Sequence, residues 1–166
     1  MDTNMDRSAA MEKLKELLKG INFAMLTTTT TNGPLRSRPM TILQAEGDEP
    51  LWFFTHAASQ KLGEIAEHAE VNLSYMSDSG ERYISISGTA TVLQDRQKIR
   101  QLWNPIFKAL YPGGADDPNL VLLQLDVHDA EYWDAPSSKM VQIAGFVKAV
   151  ATGQRYEPGK NRKLSL

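Results

Sequence analysis

Two arginines on one short run, and a Ser-x-Lys triplet some twenty residues later, are the side chains of this sequence best suited to chemistry. Arg36 and Arg38 are alternate residues of the β-rich run Leu35 to Leu43, so on a strand they share one face with Met40. Ser59-Gln60-Lys61 opens a helical pattern in which Leu62, Ile65 and Ala66 fall on one face. Ser59 is the candidate N-cap, with Gln60 and Lys61 in the first turn. A helix start offers unpaired N–H groups and the positive end of the dipole, and Lys61 adds a full charge there. With two guanidiniums one strand away, the arrangement suits a phosphate: arginine grips it with two parallel bonds and lysine supplies a point charge. The plainer alternative is a pair of solvated edge-strand arginines beside an ordinary cap.

Other chemistries are poorly served. The sequence has no cysteine, which removes thiol catalysis, disulfides and thiolate metal sites. His56, His68 and His128 lack metal-ligand spacing, so no metal site is expected. His56 reads as a turn residue ahead of any proton-transfer role. No Ser/His/Asp constellation or diagnostic carboxylate pair is present, and no catalytic group is assigned. A net charge of −2 gives no support for a nucleic-acid partner. No apolar run reaches the ~18 residues of a membrane helix and no signal-peptide pattern follows Met1, so a cytoplasmic protein is expected.

The elements that must position these groups form one domain over residues 1–166, with 42% hydrophobic residues. Residues 1–7 and 154–166 read as flexible tails. A helix is expected over Ser8 to Lys19, where Met11, Leu14, Leu17 and Leu18 recur at helical spacing; its role is to cover one end of a barrel. Phe23 to Thr31 reads as a strand, and Asn32-Gly33 as the turn into Leu35 to Leu43. Pro39 cannot donate to a ladder, so that strand belongs at an edge or holds a bulge. Met40–Leu43 and Leu51–Phe54, joined by a Gly-, Asp- and Pro-containing connection, read as a further hairpin. After the Ser59–His68 helix come strands over 71–76 and Arg82 to Leu93, with Gly88 marking a bend or a close backbone approach. Asp95 caps a helix that Pro105 interrupts. Leu120 to Asp126 reads as a nearly continuous apolar strand and leads on to Tyr132-Trp133. A last helix is expected from Pro136 to Gly153. Many short strands with frequent turns predict a mainly β (α+β) domain, a six-stranded antiparallel barrel with flanking helices.

Arg38-Pro39-Met40, Trp52-Phe53-Phe54-Thr55 and Ser59-Gln60-Lys61 are similar to the flavin segments of the pyridoxamine 5'-phosphate oxidase-like split-barrel proteins. The chain resembles their general stress protein branch more narrowly, and the likeness continues through Tyr83–Ala90, Trp103, Tyr111–Pro118 and Glu131–Pro136. The resemblance implies a split β-barrel, non-covalent FMN (with FAD as an alternative) and a homodimer with the flavin at its interface. It further implies an oxidoreductase acting on an unknown small molecule, or alternatively a stress-related flavin-binding module without turnover, or a pyridoxamine 5'-phosphate oxidase or deazaflavin-using relative. Carried over residue by residue, Arg38, Ser59 and Lys61 would bind the phosphate, with Arg36 and Gln60 beside them. Ser37, Pro39 and Met40 would follow the ring edge with their backbone, and Phe54 and Thr55 would touch the ribityl chain or ring. Trp133 would meet the ring of the partner subunit, or else pack in the core. The C-terminal Arg155 to Lys163 does not match the second phosphate site of the vitamin B6 oxidases.

Overall fold

The computed structural model describes residues 6–43, 47, 49–78, 81–134, 147–153, 155 and 160–166. Its frame is one antiparallel sheet of seven strands: β1 (Phe23–Thr29), β2 (Leu35–Thr41), β3 (Leu51–His56), β4 (Glu70–Met76), β5 (Arg82–Leu93), β6 (Leu120–Asp134) and β7 (Lys160–Ser165). Six of them run in the order β2-β1-β4-β5-β6-β3 and curl into the split barrel, while β7 adds to the outer half of β6. The helices are α1 (Arg7–Leu18), α2 (Gln60–Glu67) and α3 (Arg96–Leu102), and residues 147–152 are also helical.

Strand alternation decides which side chains fill the barrel. Ala24, Leu26 and Thr28 of β1, Val71, Leu73 and Tyr75 of β4, and Ile84 and Ile86 of β5 point inward and are buried. α1 lays Met11, Leu14, Leu17 and Leu18 on the same core, as its spacing predicts. A second, smaller core lies behind β3: Trp52 and Phe54 pack there with Ile99 of α3 and Tyr111.

The expected turns hold where local backbone chemistry decides them. Gly33 sits at φ 99° between β1 and β2, a region that other L-residues rarely enter. Asp95 accepts from the Lys98 amide and caps α3, and Pro105 begins a separate 3₁₀ turn, Pro105–Ala109. At Gly88 the ladder slips one residue against β6, and an added Cβ would lie 2.2 Å from the Asp126 carbonyl oxygen. Only glycine tolerates that approach.

Three expectations need correction. β2 and β3 do not form a hairpin: they are the two ends of the six-strand path, and among the described residues the one bridge between these runs is Leu43↔Trp52. β3 finds its partner in β6, in register from Leu51↔Leu125 to His56↔Leu120. The tail is not a solvated extension, because β7 pairs with β6 from Asp129↔Ser165 to Asp134↔Lys160 and buries Leu164. Arg7 belongs to α1 and donates to the Val127 carbonyl at 3.3 Å. Of the expected Pro136–Gly153 helix, residues 147–152 are helical and 135–146 lie outside the described residues.

Candidate functional site

Because β2 sits at the end of the sheet and runs free past the Leu43–Trp52 bridge, its inward face opens toward α2. Arg36 and Arg38 lie on the same face as buried Met40, and both reach across to the helix. There they meet Glu64, a carboxylate almost wholly removed from solvent. Arg38 Nη2 donates to Glu64 Oε2 at 2.7 Å and Arg36 Nη1 to Oε1 at 3.1 Å. Thr28, inward on the neighbouring strand, donates its hydroxyl to Oε2 at 2.6 Å. Arg36 Nη1 also reaches Gln60 Oε1 at 3.1 Å. The Thr28 hydroxyl first, and Arg38 next, hold the Glu64 carboxyl below the ordinary carboxylate range.

One arm of Arg38 remains. Its Nη1 is buried without a hydrogen-bond partner among the described residues. Three residues before Glu64 on the same helix, half-buried Lys61 donates to Ser59 Oγ at 2.8 Å. Burial, and then the nearby positive charge of Arg38, push the Lys61 ammonium below its usual value. Ser59 stands at the N-cap of α2, but its hydroxyl serves Lys61 and not the helix amides. A buried donor with nothing to bond, beside a desolvated like charge, is an arrangement that an anion would relieve. The donor set therefore fits a phosphate group.

The other expected site residues divide. Ser37 faces the outer side of the sheet and shares a 2.7 Å hydrogen bond with Thr27. Pro39 lies exposed on that side, whereas the Met40 side chain is buried in the core, leaving only its backbone for a ligand. Thr55 is buried with its hydroxyl unpartnered among the described residues. Phe54 turns the opposite way, into the second core, where its ring centroid lies 5.1 Å from Phe107 and 5.9 Å from Trp103. Its side chain thus stands apart from the Arg38–Lys61 group. His56 accepts from the Ala58 amide at 3.3 Å, the local bond of a turn residue.

Trp133 lies four strands from β2 along the sheet and is not brought to the arginines. It stands opposite Tyr83, which stands opposite Met76, and all three are exposed. Phe23 and Met25 on β1 are exposed as well, so one outer face of the sheet carries a row of large apolar side chains.

Sequence reading missed Glu64 and Thr28. Glu64 lies one residue before Ile65 on the inward side of α2, and a charged residue there is the only local sign of its role. Ala66, expected on that buried face, is exposed.

The order of strands and the end-to-end gap between β2 and β3 define a split-barrel protein. The profile of the family described as "Pyridoxamine 5'-phosphate oxidase like" matches residues 9–157, and the chain belongs to that family. Among solved structures it is similar to the general stress FMN/FAD binding protein of Xanthomonas citri, at 36% identity and TM-score 0.68, over 78% of this chain and 91% of that one. A general stress family protein of Xanthomonas campestris pv. campestris is 34% identical, with TM-score 0.67, over 81% and 92% of the two chains. The protein bli-3 of Neurospora crassa is 26% identical, covering 99% of this chain and 84% of its own.

Proposed function

We propose that this protein binds FMN non-covalently and works as a flavin-dependent oxidoreductase on a small molecule. The observation behind this reading is the Arg38 guanidinium, one arm fixed on Glu64 and the other buried and unbonded beside half-buried Lys61. Arg38, Lys61 and Ser59 would hold the phosphate, with Arg36 and Gln60 at its margin. The backbone of Ser37, Pro39 and Met40, on the unpaired edge of β2, would follow the ring, and the Thr55 hydroxyl would meet the ribityl chain. Bound FMN supplies two-electron redox chemistry, which protein N–H groups near its ring tune. The similarity to a Xanthomonas citri protein described as binding FMN/FAD supports the flavin and leaves the mononucleotide to be tested.

The test is the absorption spectrum of the purified protein and the mass of the ligand released by denaturation. A flavin spectrum with the FMN mass is expected; FAD, a deazaflavin or no chromophore after FMN titration would overturn the assignment. Anaerobic bleaching by NADH or NADPH then separates an oxidoreductase from a binding module without turnover.

Pyridoxamine 5'-phosphate oxidation should be slow or absent. A second phosphate needs its own basic cluster, and the C-terminal Arg155, Arg162 and Lys163 stand exposed, the last two on an edge strand beside β6. Turnover by FMN-loaded protein at roughly 1 per second or faster would contradict this.

A further inference from the structure

We propose that Glu64 is the positioning residue of the anion cradle: its buried carboxylate fixes one arm of Arg38 so that the other faces the phosphate. The inference rests on the phosphate reading above and assigns a role to a residue outside the expected set. A carboxylate in the wall of an anion site repels the ligand, and its burial carries a desolvation penalty. Attraction to the ligand therefore gives no reason for it to be there. Geometry does. Oε2 takes both Arg38 Nη2 at 2.7 Å and the Thr28 hydroxyl at 2.6 Å, while Oε1 takes Arg36 at 3.1 Å. Thr28 is itself buried in the sheet, so the carboxylate is anchored to the frame and the guanidiniums are anchored to the carboxylate.

Two consequences follow from that chain of bonds. Arg38 carries several rotatable bonds whose freedom would otherwise be lost on binding; held in place beforehand, it costs less to engage. Its Nη2 already donates to Glu64, so Nη1, buried and without a partner among the described residues, is the arm offered to the ligand. The charges agree with a monoester. Arg36, Arg38 and Lys61 against Glu64 leave two net positive charges, the match for a phosphate monoester that carries about −1.5 to −2 near neutral pH. Without Glu64 three cations would crowd the seam with nothing between them, and Lys61 already lies in the repulsive field of Arg38.

The experiment compares FMN with riboflavin, which lacks the phosphate, by fluorescence titration of the ligand-free full-length protein. Wild type should prefer FMN. Glu64→Ala should lose about tenfold in FMN affinity, in line with freeing the guanidinium arms, and leave riboflavin binding unchanged. Glu64→Gln keeps a carbonyl for Arg38 and Thr28 and should stay within about threefold of wild type for FMN. Thr28→Val, isosteric and one bond further back, should weaken FMN alone by about threefold; it also serves if Glu64→Ala does not fold. Unchanged or tighter FMN binding in Glu64→Ala or Thr28→Val would overturn the proposal, as would equal losses for both ligands or a Gln variant no better than Ala. A wild type without preference for FMN over riboflavin would instead remove the phosphate reading on which it rests.

Discussion

Lys61 shows most directly how the site is poised against its own surroundings. Charge-assisted hydrogen bonds to a phosphate are worth about 1.5–3 kcal/mol, so Lys61→Ala should weaken FMN binding by that amount, and Arg38→Ala by a similar one. Unchanged affinity in both variants would show that the phosphate lies elsewhere. The same lysine gives a signature in pH. Its ammonium titrates below 10.5 in the free protein because burial and Arg38 disfavour the charge. An anion beside it would restore the charge, so affinity should fall as pH rises through that depressed value, with proton uptake on binding in the window below 10.5. Calorimetric titration in alkaline buffers of differing ionisation enthalpy measures the uptake, and its absence would count against Lys61 as a phosphate ligand. Glu64 has the opposite consequence. A carboxylate held below 4.5 contributes stability that is fully present above that pH and is lost as pH falls through its lower folded value. The stability advantage of wild type over Glu64→Gln should accordingly hold at neutral pH and shrink as pH falls below 4.5. A constant gap in urea midpoint would show that the charge of Glu64 contributes nothing.

Among the elements, those fixed by neighbours in the chain are the ones the residues announce. Asn32-Gly33 sets a tight turn through one backbone angle, and Asp95 caps α3 through a bond to an amide three residues on. Gly88 is legible for the same reason, since a glycine inside a long alternating strand signals a bulge or a close approach. Gly88→Ala would drive a methyl group onto the Asp126 carbonyl, 2.2 Å away, and rigid backbone can yield only by losing the bulge. A cost of about 1–3 kcal/mol is expected, read as a lower urea midpoint. A variant as stable as wild type would show the bulge to be adaptable. Pairings set by distant partners are not legible in this way. The Gly, Asp and Pro after Leu43 report that the chain turns, not how many rungs follow, and β3 leaves after one bridge because β6 offers it a full ladder. Lys160–Ser165 reads as a polar tail, with Leu164 its one large apolar side chain before the end; a free stretch of β6 makes it a strand. Charged residues on it then suit an edge that must not recruit another chain. Glu64 is hidden for a like reason: its partners lie 26 to 36 residues away, and only the folded barrel assembles them.

The whole molecule raises the question of what covers the outer face of the sheet. Trp103, Phe107, Tyr132 and Trp133 are the large aromatics from which a twofold interface could be built. The fold reassigns three: Tyr132 fills the barrel core, and Trp103 and Phe107 close over Phe54. Trp133 stays outside, in the company of Tyr83, Met76, Met25 and, at 64% exposure, Phe23. Register puts Met76, Tyr83 and Trp133 side by side on successive strands, so they form one surface and not scattered exposures. Contiguous apolar area of this sort on a small domain is normally covered. A second copy is the economical cover, because a twofold axis lets one patch serve both chains and would enclose a flavin ring bound over an open sheet edge. We therefore predict a homodimer with two flavin sites at the interface and more than ~2,000 Å² of total buried surface. Tyr83→Glu, which sets a charge in the middle of the row, should shift the protein to monomer in size-exclusion chromatography with light scattering. The same variant should bind FMN more weakly, since the partner that encloses the ring is gone, while Arg38 and Lys61 are untouched. A wild-type monomer that holds flavin tightly at micromolar concentration would sink the dimer outright. A Tyr83→Glu protein that remains dimeric would move the interface to another face.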